Sequence, residues 1–297
     1  MKAFILAGPT AVGKTAVAHA LARQMKLPIL STDSMLVYRG MDIGTAKPSL
    51  SERGGIPYFG IDLVDPDTAF STGDYLRAVT GSCETCIATG GTGLYIKALS
   101  MGLEELPQGD PDRRAALEAM ELPALQDLLR SLDAVWLAEI ADPQNPRRLV
   151  RAIELAEAGV PRPKAFVNQP RVALVGLSMD RDLLRERIAL RVDQMMAHGL
   201  VEEVRELRTR FPVWSSTAEQ AIGYAEVIQL IEGTLSMKDA VQRIVNRTRQ
   251  YAKRQKTWFN NQFELTKVEI HPEDDPEETA LKVRAYWERT GPVPICE

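Results

Sequence analysis

The segment GPTAVGKT, residues 8–15, constrains the fold of this chain more than any other short stretch. It matches the pattern G-x-x-x-x-G-K-[ST] at every fixed position. The apolar run KAFILA precedes it, and TAVAHALARQM, with helix-type spacing of its apolar residues, follows it. The segment therefore predicts a strand, a glycine loop and a helix whose N-terminus binds phosphate.

Each residue type in this loop has a chemical reason. Glycines allow consecutive N–H groups to turn toward an anion, a lysine neutralises phosphate oxygens, and a hydroxyl can ligate Mg²⁺. The loop fits a diphosphate or a longer phosphate chain, including ATP or GTP, and does not identify the molecule. The predicted diphosphate-binding residues in it are Gly8, Pro9, Thr10, Ala11, Val12, Gly13, Lys14 and Thr15, with Thr15 as the predicted metal ligand.

Further apolar runs alternate with helical segments along the chain. LPILSTD ends at Asp33, CETCIAT leads into GGTGLYIKAL, and RVALVGLSM is typical of another buried strand. This alternation predicts an α/β fold, with a P-loop-type parallel sheet flanked by helices and a binding crevice at the carboxyl ends of the strands. A helical stretch interrupts it, so we predict a core of residues 1–107 and 168–297 with a small helical domain, residues 108–167, inserted.

The composition argues against several classes of protein. The chain has 297 residues and a formal net charge of -4, and no run approaches the roughly 18 consecutive apolar residues of a membrane span. Three cysteines, Cys83, Cys86 and Cys296, are too few for a disulfide framework and favour a reducing cytosol over export. Cys83 and Cys86 form C-x-x-C, which leaves a redox pair or half of a zinc site as alternatives.

Asp33 stands where a predicted strand ends beside the predicted phosphate site. A carboxylate there can hold Mg²⁺, act as a general base or cap a helix. The polar loop that follows, DSMLVYRGMDIGTAKP, has more polar groups than a simple metal-ligand strand requires. Glycines at positions 90, 91 and 93 permit either close approach of a ligand or close packing of the backbone.

Positive charge is concentrated in two segments. Between Ala240 and Phe263 there is no Asp or Glu, and the stretch can bind a nucleic-acid backbone or be a solvated helix face. A second group of arginines begins a helix at NPRRLVR, and two such clusters favour a large polyanion. Arg187 and Arg191 share a helix face, where they can clamp one anion or pair with neighbouring acids. The cations of the first segment are Arg243, Arg247, Arg249, Lys253, Arg254 and Lys256.

Seven blocks of this sequence together resemble the bacterial tRNA dimethylallyltransferase family, also called tRNA isopentenylpyrophosphate transferases. They occur in the family's order between Lys2 and about Phe263. The resemblance implies transfer of a dimethylallyl group from dimethylallyl diphosphate to N6 of the adenosine 3′-adjacent to the anticodon, with release of diphosphate. The blocks are GPTAVGKT, DSMLVYRGMDIGTAKP, GGTGLYIKAL, NPRRLVRAIELAEAG, RERIALRVDQMMAHGLVEEV, AIGYAEVIQLIEG and RTRQYAKRQKTWF.

The same resemblance implies roles for individual residues. Asp33 is the implied base for the N6 proton, Thr10 lies beside it, and Arg191 completes the implied catalytic set. Arg187 and Arg191 join the glycine loop in the implied diphosphate site. The implied tRNA-binding residues are Asp33, Ser34, Met35, Leu36, Thr92, Gly93, Arg147, Arg148, Leu149, Val150, Arg151, Gln220, Ala221, Ile222, Gly223, Tyr224, Arg243, Arg247, Lys253, Arg254, Gln255, Lys256, Thr257 and Trp258.

The implied partners are tRNA, through its anticodon stem-loop, and dimethylallyl diphosphate, with Mg²⁺ as the implied cofactor. We expect a cytoplasmic monomer without membrane contact. Three alternatives remain at this stage: a P-loop kinase, prenyl transfer to free AMP, and a non-catalytic RNA-binding module.

The sequence also departs from the family pattern in three places. Tyr58 and Phe59 stand where members often have histidines, and Ala225 stands where a Lys or Arg is common. The crossover before the second glycine turn looks shorter than usual.

Overall fold

The computed structural model describes residues 1–104, 106–107, 109–162 and 172–295. The chain forms two compact units, one of Met1–Gly102 with Arg171–Glu297 and one of Leu103–Pro170. Residues 108, 167 and 168, at which the sequence places the domain boundaries, lie outside the described residues, as does Cys296.

The first unit is built on a mostly parallel sheet with the order β3-β2-β4-β1-β5-β6. All neighbours on this path are parallel, and only β7, among the strands described, runs antiparallel, beside the start of β1. The prediction of a parallel α/β sheet is confirmed. The strands are β1 (Lys2–Ala7), β2 (Ile29–Ser31), β3 (Tyr58–Phe59), β4 (Thr85–Thr89), β5 (Ala173–Met179), β6 (Glu264–Ile270) and β7 (Val293–Pro294).

Helices flank this sheet and make up the second unit. None of those described here combines the length and the apolar character needed to cross a lipid bilayer. They are α1 (Lys14–Met25), α2 (Leu50–Arg53), α3 (Thr72–Val79), α4 (Gly93–Met101), α5 (Pro111–Glu118), α6 (Leu122–Leu132), α7 (Ala134–Glu139), α8 (Pro146–Glu157), α9 (Arg181–Ala197), α10 (Leu200–Arg210), α11 (Ser216–Glu219), α12 (Tyr224–Ile231), α13 (Met237–Gln262) and α14 (Pro276–Thr290).

The central strands are buried on both faces because each face is covered by helices. Successive side chains of a strand point to opposite faces. Ile5 and Ala88 pack into the cluster that contains residues of α9, α10, α12 and α13, whereas Leu6 and Ile87 pack into the cluster with α1 and α14. Each large apolar side chain buried in this way contributes about 1.5–3 kcal/mol to stability.

The strand order explains how distant motifs meet. β2, β4 and β1 are adjacent and parallel, with Leu6 in register with Thr89 and Ser31 also in register with Thr89. Their carboxyl ends therefore lie side by side. The three loops that leave these ends are the glycine loop, the loop containing Asp33 and the second glycine turn.

The second unit is helical and has its own core. Leu117, Leu125, Leu129 and Ile153 are buried together there, along the facing sides of α5, α6 and α8. Asn145 caps α8 by accepting a hydrogen bond from the N–H of Arg147 at 3.1 Å. Such a cap stabilises a helix by about 1 kcal/mol.

The structure shows the surroundings of two of the departures named above. Tyr58 lies on β3, and its hydroxyl is 2.5 Å from Nε2 of His19 on α1. The guanidinium of Arg53 lies over the same ring at 5.5 Å. Tyr58 thus belongs to a packed pair between sheet and helix.

The crossover before the second glycine turn contains α3, a helix of 8 residues that begins at a capping box formed by Ser71 and Asp74.

Cys83, two residues before β4, and Cys86, within β4, are free thiols. Burial, followed by the neighbouring Cys83, raises the pKa of Cys86. In the described part of the chain no cluster of three or more His, Cys, Asp or Glu side chains has metal-ligand geometry.

The close packing of the second glycine turn yields a stability prediction. A Cβ atom at Gly90 would lie 2.4 Å from the carbonyl carbon of Thr32, which is backbone and cannot move aside. We expect Gly90→Ala to destabilise the protein by about 2–3 kcal/mol, measured as a shift of the urea midpoint. Gly73→Ala is the matched control, because its nearest atom is the end of the flexible Arg77 side chain at 3.4 Å. A Gly90→Ala midpoint equal to that of the control would contradict this packing.

Candidate active site

The glycine loop joins β1 to α1 in a backbone conformation that only certain residues adopt easily. Gly8 has φ +148° and Gly13 has φ +105°, both in the region that favours glycine, and Ala11 also has a positive φ of 63°. A Cβ atom at Gly8 would lie 2.9 Å from the carbonyl oxygen of Leu177 on β5. The loop is thus fixed against the sheet, with the first turn of α1 directly behind it.

The side-chain nitrogen of Lys14 lies inside the glycine loop. Its Nζ donates a hydrogen bond to the carbonyl oxygen of Pro9 at 2.6 Å, so the side chain folds back across the loop. Burial lowers the pKa of Lys14 to about 8, with Asp33 opposing the shift and Arg191 adding to it. A bound phosphate would supply the anionic partner that stabilises the protonated form.

Asp33 follows β2 and lies in a loop tied to the second glycine turn. Its Oδ1 accepts a hydrogen bond from the N–H of Met35 at 2.9 Å. The N–H of Ser34 donates to Oγ1 of Thr92 at 3.0 Å, and the N–H of Thr92 donates to the carbonyl oxygen of Thr32 at 3.1 Å. These bonds hold the carboxylate at the edge of the site, where its charge acts on Lys14 and Arg191.

Gln255 of α13 links two of the three loops. Its Oε1 accepts a hydrogen bond from the N–H of Thr10 at 2.8 Å, and its Nε2 donates to the carbonyl oxygen of Gly91 at 2.9 Å. The side chain is only 5% exposed. Gln255 is therefore a buried brace between the phosphate loop and the second glycine turn, a role that sequence analysis missed. Its place on the packed face of a helix was the available signal.

Two aromatic side chains of α13, Trp258 and Tyr251, lie beside Gln255 on the same helix. A Cβ atom at Gly93 would lie 2.1 Å from Cε3 of Trp258, so the absence of a side chain at position 93 lets the indole approach α4. Burial, followed by the charge of Asp33, raises the pKa of Tyr251 to about 12. Tyr251 therefore stays protonated and can donate hydrogen bonds beside the carboxylate.

α9 brings two arginines to the glycine loop. A Cβ atom at Gly13 would lie 3.8 Å from Nη2 of Arg187, and Nη2 of Arg191 donates to the carbonyl oxygen of Thr45 at 3.4 Å. Burial lowers the pKa of Arg191, and Asp33 opposes this shift. Arg185, on another face of the helix, pairs with Asp182 at 3.0 Å. The structure thus places Arg187 and Arg191 at the loop, where they can clamp one anion.

The donor set for a divalent cation is sparse. Thr15 is exposed in the first turn of α1, one residue after Lys14, so its hydroxyl is accessible to a ligand. Mg²⁺ in proteins usually keeps waters and takes one or two side chains together with substrate phosphates. The accessible hydroxyl of Thr15 fits that manner of binding.

The cations of α13 divide into two groups. Lys253, Arg254 and Lys256 are exposed. Arg247 is bound within the protein, by an ion pair with Glu226 and a hydrogen bond to the carbonyl oxygen of Gln220 at 3.0 Å. The exposed group provides the positive surface that the sequence predicts for this helix.

The other residues with an implied tRNA contact vary in exposure. Arg243 and Thr257 are exposed, and Arg243 donates to Oε1 of Gln229 at 3.2 Å. Ile222 is half-buried and Gln220 is exposed. Ser34, Met35 and Leu36, in the loop after Asp33, are half-buried.

Several residues implied to bind tRNA have buried side chains. Ala221 and Tyr224 are buried in the core of the first unit, and Gly223 at the start of α12 is also buried. Leu149 and Val150 are buried in the core of the second unit. For these residues the structure shows a packing role. Their contact with tRNA stays a prediction. Without a rearrangement of the core, only their main-chain atoms could make such a contact.

The arginines at the start of α8 belong to the second unit. Arg147 and Arg148 are exposed. Arg151 is half-buried, where Nη1 lies 3.2 Å from Glu154 and Nη2 donates to the carbonyl oxygen of Pro107 at 2.9 Å. Within this unit, Arg147 and Arg148 thus present the accessible positive charge of the cluster.

Comparison with known proteins finds similar sequences over most of the chain. The model of a family described as IPP transferase matches residues 36–262, and that of a family described as isopentenyl transferase matches residues 1–57. The chain is 42% identical over 274 residues to "tRNA dimethylallyltransferase 1" of Syntrophotalea carbinolica, covering 86% of this chain and 87% of that protein.

Two further comparisons cover almost the whole chain. "tRNA dimethylallyltransferase" of Bacillus subtilis is 38% identical over 290 residues, which is 92% of each protein. The crystal structure of full-length tRNA isopentenylpyrophosphate transferase from Bacillus halodurans superimposes with a TM-score of 0.66 at 34% identity, over 97% of both chains. Sequence and fold therefore point to the same family.

The shifted pKa of Lys14 makes anion binding depend on pH. Near pH 8 about half of the free protein has a neutral Lys14, whereas a bound phosphate favours the cation. We expect the affinity for inorganic pyrophosphate to fall as pH rises above about 8, by up to roughly tenfold per pH unit. Titration calorimetry in two buffers of different protonation enthalpy should show proton uptake on binding at that pH.

Lys14→Met is the control for this measurement. The pH dependence that remains in the variant belongs to the titration of pyrophosphate itself, because the lysine is gone. A wild-type protein whose pH profile matched that of Lys14→Met would show that Lys14 does not titrate in this range.

Proposed function

This chain belongs to the IPP transferase family, and we propose that it transfers a dimethylallyl group from dimethylallyl diphosphate to N6 of the adenosine 3′-adjacent to the anticodon in tRNA, releasing diphosphate. One observation carries the proposal. Lys14 and Arg191 are desolvated cations beside one carboxylate, Asp33, at the mouth of a phosphate loop. This arrangement pairs a site for an anionic leaving group with a base.

The cations and the loop support the departure of diphosphate. As the bond between the allylic carbon and oxygen breaks, negative charge develops on the diphosphate oxygens. We assign the stabilisation of that charge to N–H groups of the loop and to Lys14, Arg187 and Arg191, since preorganised donors and cations need little reorganisation. Mg²⁺, held by the Thr15 hydroxyl and substrate oxygens, would neutralise further charge when bound.

Asp33 supports the attack by the acceptor. An exocyclic adenine amine is a weak nucleophile, so its reaction relies on an allylic carbon that tolerates positive charge and on close positioning of both substrates. The N6 lone pair forms the new bond to carbon as diphosphate leaves, and the N6 proton passes to the carboxylate of Asp33. We assign Thr10 a place beside the reacting groups, since its N–H is fixed by Gln255.

The exposed cations support tRNA as the acceptor. Lys253, Arg254 and Lys256 lie on the helix that also supplies Gln255 and Trp258 to the site. Phosphate contacts position an RNA, while specificity usually comes from unpaired loop bases. We propose that the anticodon stem-loop binds along this helix, and that the protein acts as a monomer in the cytoplasm.

The direct test is incubation with dimethylallyl diphosphate and unmodified tRNA. We expect release of pyrophosphate and, by nucleoside mass spectrometry, the added mass of one dimethylallyl group on a single adenosine. Parallel reactions with free AMP separate a tRNA enzyme from one that prenylates a free nucleotide. ATP consumption without the added mass would instead support a P-loop kinase.

Asp33→Asn tests the base. The amide keeps the size and hydrogen-bonding capacity of the side chain but does not accept a proton, so we expect kcat to fall by about 10²–10⁴-fold. The dissociation constant for tRNA, measured by filter binding, should change by less than about twofold, because a carboxylate does not neutralise RNA phosphates.

Asp193→Asn is the matched control, because Asp193 is exposed on α9. Its kcat should equal that of the wild type. If Asp33→Asn retained near-normal turnover, the proton would have to leave by another route, and the assignment of Asp33 would be wrong.

The salt dependence of tRNA binding tests the basic helix. Lys253→Gln combined with Lys256→Gln should reduce the slope of log K against log salt by roughly 0.7–0.9 for each RNA phosphate that is no longer neutralised. Lys267→Gln combined with Lys282→Gln removes the same charge from exposed positions on β6 and α14 and should leave the slope unchanged. Equal slopes in the two double variants would exclude this face of α13 as the tRNA-binding surface.

A further inference from the structure

The carboxylate of Glu203, on α10, accepts four hydrogen bonds. Three come from consecutive backbone N–H groups, those of Asp42 at 3.1 Å, Ile43 at 2.7 Å and Gly44 at 3.4 Å. The fourth comes from the hydroxyl of Tyr224 at 2.6 Å. Successive N–H groups that converge in this way form a concave anion site, and here the anion is the protein's own side chain.

The segment held by Glu203 ends at the active site. The residue after Gly44 is Thr45, whose carbonyl oxygen accepts the hydrogen bond from Nη2 of Arg191. Glu203 therefore fixes the peptides that immediately precede the acceptor of the arginine. No other function in the proposed reaction accounts for this carboxylate.

Packing makes this arrangement specific. A Cβ atom at Gly44 would lie 2.5 Å from Cε2 of Tyr224 and 2.9 Å from Cδ1 of Leu200, so the backbone of the segment lies directly on the phenol ring. Burial, followed by the charge of Glu203, raises the pKa of Tyr224, and the phenol remains a donor. The carboxylate thus has a rigid partner on one side and the segment on the other.

A second charged anchor holds the far end of the segment. The buried Nζ of Lys47 lies 2.6 Å from Asp42 and 2.6 Å from Asp62, and it donates to the carbonyl oxygen of Tyr38 at 2.8 Å. Lys47 and Glu203 together restrict the position of the Thr45 carbonyl group, because they bind the segment on both sides of it.

We infer that Glu203 is a positioning residue for Arg191, acting through the segment of residues 42–45. The inference rests on the proposed function. Arg191 is a long side chain that must meet the developing charge of the diphosphate in one geometry. A fixed carbonyl acceptor restricts its guanidinium before the substrate arrives, and misplacement of a catalytic group by about 1 Å can cost 10²-fold in rate.

Glu203→Gln removes the negative charge but keeps the shape of the side chain. We expect its affinity for inorganic pyrophosphate to fall about tenfold. The KM for dimethylallyl diphosphate should rise and kcat should fall, while the KM for tRNA stays within about twofold. Glu202→Gln is the matched control, since Glu202 is the exposed preceding residue on the same helix.

A double-mutant cycle separates positioning from a general loss of structure. In an Arg191→Lys background, Glu203→Gln should weaken pyrophosphate binding by less than about twofold, because the guanidinium that it positions is gone. In a Lys14→Met background the tenfold effect should persist. If Glu203→Gln fails to fold, Tyr224→Phe serves as the second variant, because it removes one of the four hydrogen bonds to Glu203. It should weaken pyrophosphate binding by less than about tenfold, and only when Arg191 is present.

Equal effects in all three backgrounds would overturn the inference and leave Glu203 a structural brace. So would unchanged pyrophosphate binding in Glu203→Gln with a lower melting temperature. Prenylation of the anticodon stem-loop by wild type and Glu202→Gln reports on the proposed function separately. If both fail to prenylate while the binding cycle behaves as expected, the proposed function is wrong and the positioning of Arg191 stands.

Discussion

The site depends on one constraint, the parallel alignment of β2, β4 and β1, whose carboxyl ends lie at one edge of the sheet. Adjacent parallel strands deliver their following loops side by side. The glycine loop, the Asp33 loop and the second glycine turn are joined there by direct hydrogen bonds and by Gln255. Movement of any one strand would disturb all three loops, which is why catalytic geometry and sheet stability are linked in this protein.

Helices on one side of this edge supply most of the charge. α9 contributes Arg187 and Arg191, α10 contributes Glu203, and α13 contributes Gln255 together with an exposed row of cations. Burial of a cation away from water raises the free energy of its charged form. The pKa of Lys14 and that of Arg191 are lowered for this reason. Under the proposed function a bound diphosphate would offset this cost, because its negative charge favours the protonated form of Lys14 and the charged form of Arg191.

Sequence reasoning succeeded where a local pattern carries the chemistry. The glycine loop between strand and helix, the parallel α/β sheet and the family were all predicted. The spacing of Arg187 and Arg191 predicted only that they share a helix face, and it left an anion clamp and pairing with acids as equal alternatives. Sequence reasoning was less informative for residues on packed helix faces. Gln255, grouped with the tRNA-binding residues, is a buried brace, and Tyr224 lies under the segment of residues 42–45. Sequence reasoning assigned no role to Glu203, because the three backbone N–H groups that it binds are about 160 positions away in the chain.

The sequence alone determined the elements whose information is local: a phosphate loop needs glycines, a lysine and a hydroxyl at fixed spacing, and these are contiguous. Only the tertiary structure decided which polar side chains face inward and what they contact. The reason is physical. A hydrogen bond such as that from the phosphate loop to Gln255 depends on burial and on the meeting of two surfaces, and neither is encoded in the residues that flank either partner.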